Sequence, residues 1–308
     1  MKQTSVHIEE LFKEYGDVTA LEHINFQVER GELFGLIGPD GAGKTSLFRI
    51  LTTLLLPDGG TASVEGYQVI RDFREIRRII GYMPGRFSLY QDLTVEENLN
   101  FYATVFGTTL EENYDLIKDI YVQIEPFKKR RAGKLSGGMK QKLALSCALI
   151  HKPRVLVLDE PTTGVDAVSR KEFWEMLLRL KGSDITILVS TPYMDEAELC
   201  DRVALIQDGK LLSVNTPQMI KEQYRAKLWA VRAENIYQLK ADLMDYEFLR
   251  SVFLFGQHLH VTLNQDIALK DLHLWLEGKG HGHASVEAIQ PSVEDCFMEL
   301  MSKEKISG

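Results

Sequence analysis

The chain has 308 residues, of which 44% are hydrophobic and 26% charged, and its formal net charge at pH 7 is -8. This composition is typical of a globular protein with one large or two ordinary domains, and the acidic balance argues against a nucleic-acid-binding surface. No apolar run approaches the roughly 18 residues that a membrane-spanning helix needs, so we expect any membrane role to come through a partner. The three cysteines are odd in number and far apart, which favours reduced thiols in the cytoplasm.

Two strands are predicted near the N-terminus, at residues 6–8 and 24–28, with a turn around Tyr15 between them. Tyr15 has two interpretations. It is either an ordinary half-buried aromatic residue or a platform that stacks on a nucleotide base.

A glycine-rich loop, residues 38–45 (GPDGAGKT), lies between the apolar run 33–37 and a helix-forming segment. A polyphosphate needs backbone N–H groups at close range, and the glycines leave room for it while the helix N-terminus adds its positive dipole end. In this interpretation Lys44 reaches the β- and γ-phosphates and Thr45 holds Mg²⁺. The alternative is a glycine-rich turn that matches the motif by chance. The predicted nucleotide-binding residues of this stretch are Gly38, Asp40, Gly41, Gly43, Lys44, Thr45 and Ser46.

Two further strands are predicted at residues 61–64 and 79–83, and Thr94 with Glu97 forms a capping box that opens a helix reaching about residue 106. After a long helical region comes the stretch 135–141 (LSGGMKQ). Its Ser136 is a predicted N-cap of a helix that runs to about Ile150. With two glycines beside the cap, this helix start is a second candidate anion-binding site.

A buried strand at residues 155–158 ends in the carboxylate pair Asp159-Glu160. In α/β folds, ligands bind at the carboxyl edge of the sheet, where this pair is expected to lie. The pair is either the start of a turn or a site that handles Mg²⁺ and water, and the preceding motifs favour the second interpretation. Another buried strand is predicted at residues 185–190, followed by a helix at residues 194–200.

The last third of the chain has a different pattern. A helix at residues 217–225 is followed between residues 228 and 289 by the predicted order βαββαβ, closed by a helix at residues 293–301. This order predicts a small α+β unit with a ferredoxin-like fold. We therefore expect a first domain over residues 1–215 and an accessory domain over residues 216–308.

Four stretches in this order, namely 38–45, 135–141, 155–160 and 162–166 (TTGVD), give the chain its likeness to a known family. Over about residues 1–215 it resembles the ATP-binding subunit of an ABC transporter. The resemblance implies a P-loop ABC-type α/β ATPase domain, with a mixed sheet core and a helical subdomain at about residues 86–150. Residues 87–94 and 193–197 look most like the exporter branch, which moves drugs, lipids and polymers.

The resemblance also implies roles for individual residues. Tyr15 would stack on adenine, Lys44 and Thr45 would hold the phosphates and Mg²⁺, and Asp159 would support Mg²⁺. Glu160 would orient or deprotonate the attacking water, so Glu160 and Lys44 are the expected catalytic residues.

In this family two ATP-binding domains pair head to tail, so Ser136 and Gly138 would contact the ATP held by the other subunit. Asp166 would link the two sites. The expected partners are membrane permease subunits and a second ABC ATPase, identical or different, with no nucleic acid. The expected place is the cytoplasmic face of the membrane, where residues 87–94 would dock on the permease.

Two positions depart from the family pattern. Gly85 stands where the family usually has a glutamine that senses the γ-phosphate, and Pro192 stands where it usually has a histidine that contacts the γ-phosphate. Proline has neither a side-chain donor nor an N–H group. We therefore expect slow turnover at this chain's own site, within an asymmetric pair of ATPases. The alternatives are a nearly inactive regulatory subunit and an ABC ATPase without a transport role.

Overall fold

The computed structural model describes residues 3–265, 267 and 269–307, with side chains as far as residue 302. The chain divides into two compact units, Met1–Pro217 and Gln218–Gly308. Within the described residues, no helix is both long and apolar enough to cross a bilayer.

An antiparallel sheet of four strands opens the first unit. Its strands are β1 (Thr4–Tyr15), β2 (Val18–Glu29), β4 (Gly59–Val64) and β5 (Tyr67–Gln68), in the order β2-β1-β4-β5. β1 and β2 are much longer than the predicted strands at 6–8 and 24–28. The prediction found only their most apolar parts, whereas the backbone ladder continues through polar residues on the exposed side.

The core sheet of this unit has six strands in the order β10-β9-β3-β8-β7-β6. Neighbouring strands are parallel except for the pair of β9 and β10. β3 and β7 are buried along their whole length, as expected for strands that are covered on both faces. The six strands are β3 (Leu33–Ile37), β6 (Ile80–Met83), β7 (Val155–Asp159), β8 (Thr186–Thr191), β9 (Arg202–Gln207) and β10 (Lys210–Asn215).

Six α-helices belong to the described part of the first unit. They are α1 (Lys44–Leu51), α2 (Phe73–Ile79), α3 (Val95–Val105), α4 (Tyr114–Tyr121), α5 (Gly137–Leu149) and α6 (Ala167–Leu180). The short α7 (Pro217–Glu222) begins at the last residue of the first unit and continues in the second. The capping box predicted at α3 is confirmed, because Thr94 accepts a hydrogen bond from the Glu97 N–H and Glu97 accepts one from the Thr94 N–H. The helix predicted at residues 194–200 is a 3₁₀ helix, Met194–Leu199.

The second unit has the predicted order βαββαβ followed by a helix. Its elements are β11 (Leu228–Arg232), α8 (Ile236–Met244), β12 (Leu249–Phe255), β13 (His258–Leu263), α9 (Leu269–Gly278), β14 (Ser285–Ile289) and α10 (Val293–Ser307). The sheet order is β12-β13-β11-β14, and all neighbours are antiparallel. Leu239 and Leu243 of α8 and Leu272 and Leu276 of α9 form one buried core with the sheet. This arrangement confirms the predicted ferredoxin-like α+β fold.

Candidate functional site

The candidate site lies where three neighbouring core strands end. β8 lies between β3 and β7, and in the register of these parallel strands Ile37 pairs with Thr191 while Asp159 pairs with Ser190. The N–H group of Gly38 also donates to the Thr191 carbonyl oxygen, at 3.3 Å. The segments that follow the three strands are therefore held at one edge of the sheet.

The glycine-rich loop follows β3 and leads into α1. Gly43, the N-cap of α1, has a φ of 102°, which lies in the left-handed region that favours glycine. A Cβ atom on Gly43 would lie 2.3 Å from the Ala20 carbonyl oxygen, and one on Gly38 would lie 2.1 Å from the Ile206 carbonyl oxygen. At both positions only glycine fits without displacing backbone, so the loop is held closely against its neighbours.

Lys44 has a buried side chain, only 2% exposed, at the start of α1. Its ammonium group donates to the carbonyl oxygens of Gly38 at 2.8 Å and Pro39 at 2.9 Å, and it forms an ion pair with Glu160 at 3.1 Å. The lysine is thus held at the centre of the loop, with one carboxylate beside it. A triphosphate fits this site because a charged ammonium group and an uncapped helix start both favour phosphate oxygens.

Asp159 is the buried carboxylate at the end of β7. It accepts hydrogen bonds from Thr45 at 3.2 Å and Ser190 at 2.7 Å, so residues from α1, β7 and β8 meet at one carboxylate oxygen. Burial raises the pKa of Asp159, and the hydrogen bonds from Ser190 and Thr45 oppose this shift. A threonine hydroxyl beside a carboxylate is a set of oxygen donors that suits Mg²⁺.

Glu160 is held in an unusual backbone conformation directly after β7. Its φ is 48°, and its N–H group lies 3.1 Å from the Ser190 carbonyl oxygen and 3.0 Å from the Ser190 hydroxyl. The hydroxyl of Thr163 lies 3.4 Å from the second carboxylate oxygen. Left-handed residues other than glycine are uncommon and concentrate at functional sites, where the surroundings hold them in place.

Tyr15 lies at the other side of the glycine-rich loop. It is 46% exposed, and its hydroxyl is 3.3 Å from the hydroxyl of Ser46 in α1. The Lys13 ammonium group lies 5.5 Å from the centre of the tyrosine ring. The fold therefore brings the predicted base-stacking residue to the predicted phosphate-binding helix.

Ser136 caps α5 as predicted, and its hydroxyl accepts a long hydrogen bond from the Met139 N–H at 3.4 Å. Gly138 packs so closely against α6 that a Cβ atom there would lie 2.8 Å from the Ser169 hydroxyl. Among the residues described, no hydrogen bond or ion pair joins Ser136 or Gly138 to the glycine-rich loop.

Gly85 lies beside the backbone of Asp159 and the Cβ atom of Glu160. A Cβ atom on Gly85 would lie 3.1 Å from the Asp159 carbonyl oxygen and 3.8 Å from the Glu160 Cβ. Gly85, Glu160 and Gly137 also line a cavity of about 230 Å³. A glutamine at position 85 would extend its side chain from the wall of this cavity.

Four hydrogen bonds near Glu160 were not predicted from the sequence. Ser190 bonds to both Asp159 and Glu160, Thr162 bonds to the buried Glu196, and the Gln141 amide donates to the Pro161 carbonyl oxygen. The predicted strand at 185–190 ends at Ser190, so the sequence alone could have placed Ser190 at the carboxyl edge of the sheet. Thr162 and Glu196 carry no comparable signal, because they meet only in the folded chain.

The fold and this edge of the sheet define the class of protein. The solved structure of cbiO1 from Clostridium perfringens, described as part of the ABC transporter complex cbiONQ, aligns with a TM-score of 0.64 and 26% identity. The alignment covers 72% of this chain and 92% of that chain. The architecture is therefore that of an ATP-binding cassette.

Sequence relatives identify the family. The ABC transporter family model matches residues 21–163. "Nod factor export ATP-binding protein I" of Burkholderia pseudomallei (strain 1710b) is 38% identical over 312 residues, which cover 99% of this chain and 100% of that protein. "Probable multidrug ABC transporter ATP-binding protein YbhF" of Escherichia coli (strain K12) is 37% identical over 289 residues, or 92% of this chain and 50% of that protein. The chain thus spans about half the length of YbhF.

The chain belongs to the family of ABC transporter ATP-binding proteins. The family prediction made from residues 38–45, 135–141, 155–160 and 162–166 is confirmed.

Proposed function

We propose that this chain is the ATP-hydrolysing subunit of a membrane exporter. The observation that carries the proposal is the cluster of Lys44, Thr45, Asp159 and Glu160 at one edge of the core sheet. The exporter assignment is supported by the names of two sequence relatives, a probable multidrug ABC transporter ATP-binding protein and a Nod factor export ATP-binding protein.

Each residue of the cluster has a role in the proposed reaction. Gly38, Gly41, Gly43 and Lys44 hold the phosphates, and Tyr15 stacks on adenine. Glu160 orients the water that attacks the γ-phosphorus and takes its proton, while ADP leaves with the electrons of the broken bond. Asp40 and Ser46 complete the loop around the phosphates.

Mg²⁺ fits beside this loop. Thr45 and Asp159 would hold the ion, Asp159 through water, and the ion would neutralise charge on the phosphates. Burial raises the pKa of Asp159, and a cation bound beside this carboxylate would favour its ionised form.

The substitutions at Gly85 and Pro192 support slow turnover at this chain's own site. Glycine lacks the amide of glutamine, and proline lacks a donor, so two groups that would sense the γ-phosphate are missing. Ser136 caps an intact helix start and, with Gly138, would serve the ATP held by a second ABC ATPase. We therefore propose an asymmetric pair, in which this chain is the weaker half and Asp166 links the two sites.

A groove beside residues 87–94 supports docking on a permease. Its volume is about 470 Å³, and Ser88 and Leu89 of the proposed docking segment line it together with the exposed Val105 and Phe106. An apolar cytoplasmic segment of a permease subunit would cover this surface. ATP binding would close the ATPase pair, and hydrolysis would reopen it and move the permease between inward and outward states.

The domain assignment follows the same proposal. Residues 1–215 would form the ATP-binding domain, with a helical subdomain at about residues 86–150. Residues 216–308 would form an accessory domain that supports dimer formation or regulation.

The test is nucleotide binding and single-turnover ATP hydrolysis by the purified chain, compared with Glu160→Gln. We expect Mg²⁺-dependent ATP binding in both proteins and slow hydrolysis that Glu160→Gln abolishes. Purification of the chain from its native membrane would show whether permease subunits and a second ATPase accompany it.

Three outcomes would contradict parts of the proposal. Absence of ATP binding would contradict the nucleotide site itself. Binding with turnover that Glu160→Gln leaves unchanged would contradict the role of Glu160, and binding without any turnover, alone or in the complex, would favour a regulatory subunit. Turnover by the chain alone at an ordinary transporter rate would contradict the asymmetric pair.

A further inference from the structure

Glu196 is a buried carboxylate that has no role in the reaction proposed above. Glu196, in the 3₁₀ helix after β8, is only 2% exposed. The hydroxyl of Thr162, itself fully buried, lies 2.9 and 3.2 Å from the two carboxylate oxygens of Glu196. This contact joins the turn after β7 to the segment after β8.

Arg170 of α6 binds the same segment. Its Nε lies 3.7 Å from a Glu196 oxygen, and its terminal nitrogen donates to Asp195 at 3.1 Å. The guanidinium carbon also lies 4.7 Å from the centre of the Tyr193 ring. Pro192 therefore stands between β8 and a segment that is held by several polar contacts.

Burying a carboxylate is unfavourable unless hydrogen-bond donors and a cation surround it. Burial raises the pKa of Glu196, and hydrogen bonds from Thr191 and Thr162 together with the charge of Arg170 oppose that shift. Thr162 belongs to the turn after β7 and Thr191 to the end of β8, while Arg170 belongs to α6. The carboxylate is thus partnered by groups whose positions matter for the site.

The turn after β7 transmits the position of Thr162 to Glu160. The Thr163 N–H donates to the Glu160 carbonyl oxygen at 3.2 Å, and the Val165 N–H donates to the Thr162 carbonyl oxygen at 3.3 Å. The Thr163 hydroxyl lies 3.4 Å from the Glu160 carboxylate. A shift of Thr162 would therefore move the groups that orient Glu160.

We propose that Glu196 is a positioning residue for ATP hydrolysis. Through Thr162 it holds the turn of residues 160–165, and through this turn it sets the direction of the Glu160 carboxylate. The role rests on the proposed function, because Glu160 is the residue assigned to act on water. With proline at position 192, Glu196 and Thr162 provide a side-chain link between the segments after β7 and β8.

The test compares Glu196→Ala and Thr162→Val with a matched control, Asp195→Asn. Asp195 is the neighbouring carboxylate, binds the same Arg170, and is 67% exposed in its side chain. Hydrogen exchange of the amides in residues 160–165 is measured in the full-length chain, together with ATP affinity and the single-turnover rate. Thr162→Val preserves side-chain shape and leaves Glu196 beside Arg170, so it is the second variant if Glu196→Ala folds poorly.

In Glu196→Ala and in Thr162→Val, we expect the amide exchange rate of residues 160–165 to rise about tenfold and the hydrolysis rate to fall about tenfold. The reason is that each variant loses a buried hydrogen bond. ATP affinity should stay within about twofold, because the polar contacts described for Glu196 and Thr162 do not include residues of the phosphate loop. Glu196→Gln should retain much of the wild-type behaviour, since its amide oxygen still accepts a hydrogen bond from Thr162. Asp195→Asn should match the wild type.

Two results would overturn the positioning role. One is amide exchange in Glu196→Ala and Thr162→Val that matches Asp195→Asn, and the other is faster exchange with an unchanged hydrolysis rate. Failure of the proposed function looks different. It appears in the otherwise unmodified chain, as absent ATP binding or as hydrolysis that Glu160→Gln does not alter, while the exchange measurement still reports whether Glu196 holds the turn.

Discussion

Replacing Pro192 with histidine should accelerate ATP hydrolysis at this chain's own site. The residue before it, Thr191, accepts a hydrogen bond from the Gly38 N–H at 3.3 Å. Position 192 therefore directly follows a backbone contact with the phosphate loop. A histidine there can supply the donor toward the γ-phosphate that proline cannot.

The expected size follows from the number of donors restored. One transition-state donor is typically worth roughly 10²–10³ in rate, or about 2.7–4 kcal/mol. In this variant position 85 is still glycine and not the glutamine that is usual in the family. Effects of residues that act together do not simply add. We therefore expect an increase of about 10². Loss of the proline changes the free energy of unfolding by only about 0.4–1 kcal/mol, which is a separate quantity from the hydrolysis rate.

The assay is single-turnover ATP hydrolysis, with ATP affinity measured in parallel and Pro192→Ala as the control. Pro192→Ala removes the ring without adding a side-chain donor, so it isolates the effect of the imidazole. If Pro192→His and Pro192→Ala hydrolyse ATP equally fast, the reasoning is refuted. Brisk wild-type turnover that the histidine does not change would mean that another residue supplies the contact.

Gly38→Ala should lower the free energy of unfolding by about 1–3 kcal/mol, because its Cβ would lie 2.1 Å from the Ile206 carbonyl oxygen. Gly137→Ala should raise the free energy of unfolding by about 0.5–1 kcal/mol, because in the described part of the chain its Cβ would meet no atom of another segment within 4 Å. Equal shifts in the urea unfolding of the two variants would contradict the close packing of the loop. Burial raises the pKa of the Cys296 thiol to about 12 and raises those of the other two cysteines as well. A raised pKa keeps the thiols protonated, so alkylation of the folded chain at pH 8 should be about 10³-fold slower than alkylation of the unfolded chain and should rise with pH. Mass spectrometry after iodoacetamide treatment measures both rates, and rates within tenfold of each other would contradict this prediction.

The fold could be predicted from the sequence where one strong local pattern decided an element. The capping box at Thr94 and the N-cap at Ser136 start helices as expected, and the order of elements in residues 228–289 is correct. Predictions failed where polar residues continue a strand. β1 and β2 extend well beyond their apolar parts, because ladder hydrogen bonds come from the backbone and not from the side chains.

Part of the candidate site could also be predicted, because part of it is formed by short continuous stretches of sequence. The glycine-rich loop and the pair Asp159-Glu160 are contiguous in the chain, so their chemistry is visible in short stretches. Ser190 was visible only as the end of a strand, although it bonds to both carboxylates. The contact of Thr162 with Glu196 joins residues 34 positions apart in the sequence, and no local sequence pattern predicts it.

The sequence by itself determined the chemical groups of this protein: a loop predicted to bind phosphates, a helix start predicted to bind an anion, two adjacent carboxylates, and the residues Gly85 and Pro192. The tertiary structure decided which of these groups meet. Parallel pairing of β3, β8 and β7 places their carboxyl ends side by side, so Lys44, Asp159 and Glu160 converge although distant stretches of chain supply them. Burial then decides the partners of Glu196 and the pKa of Asp159, because desolvation depends on the whole surrounding fold and not on sequence neighbours.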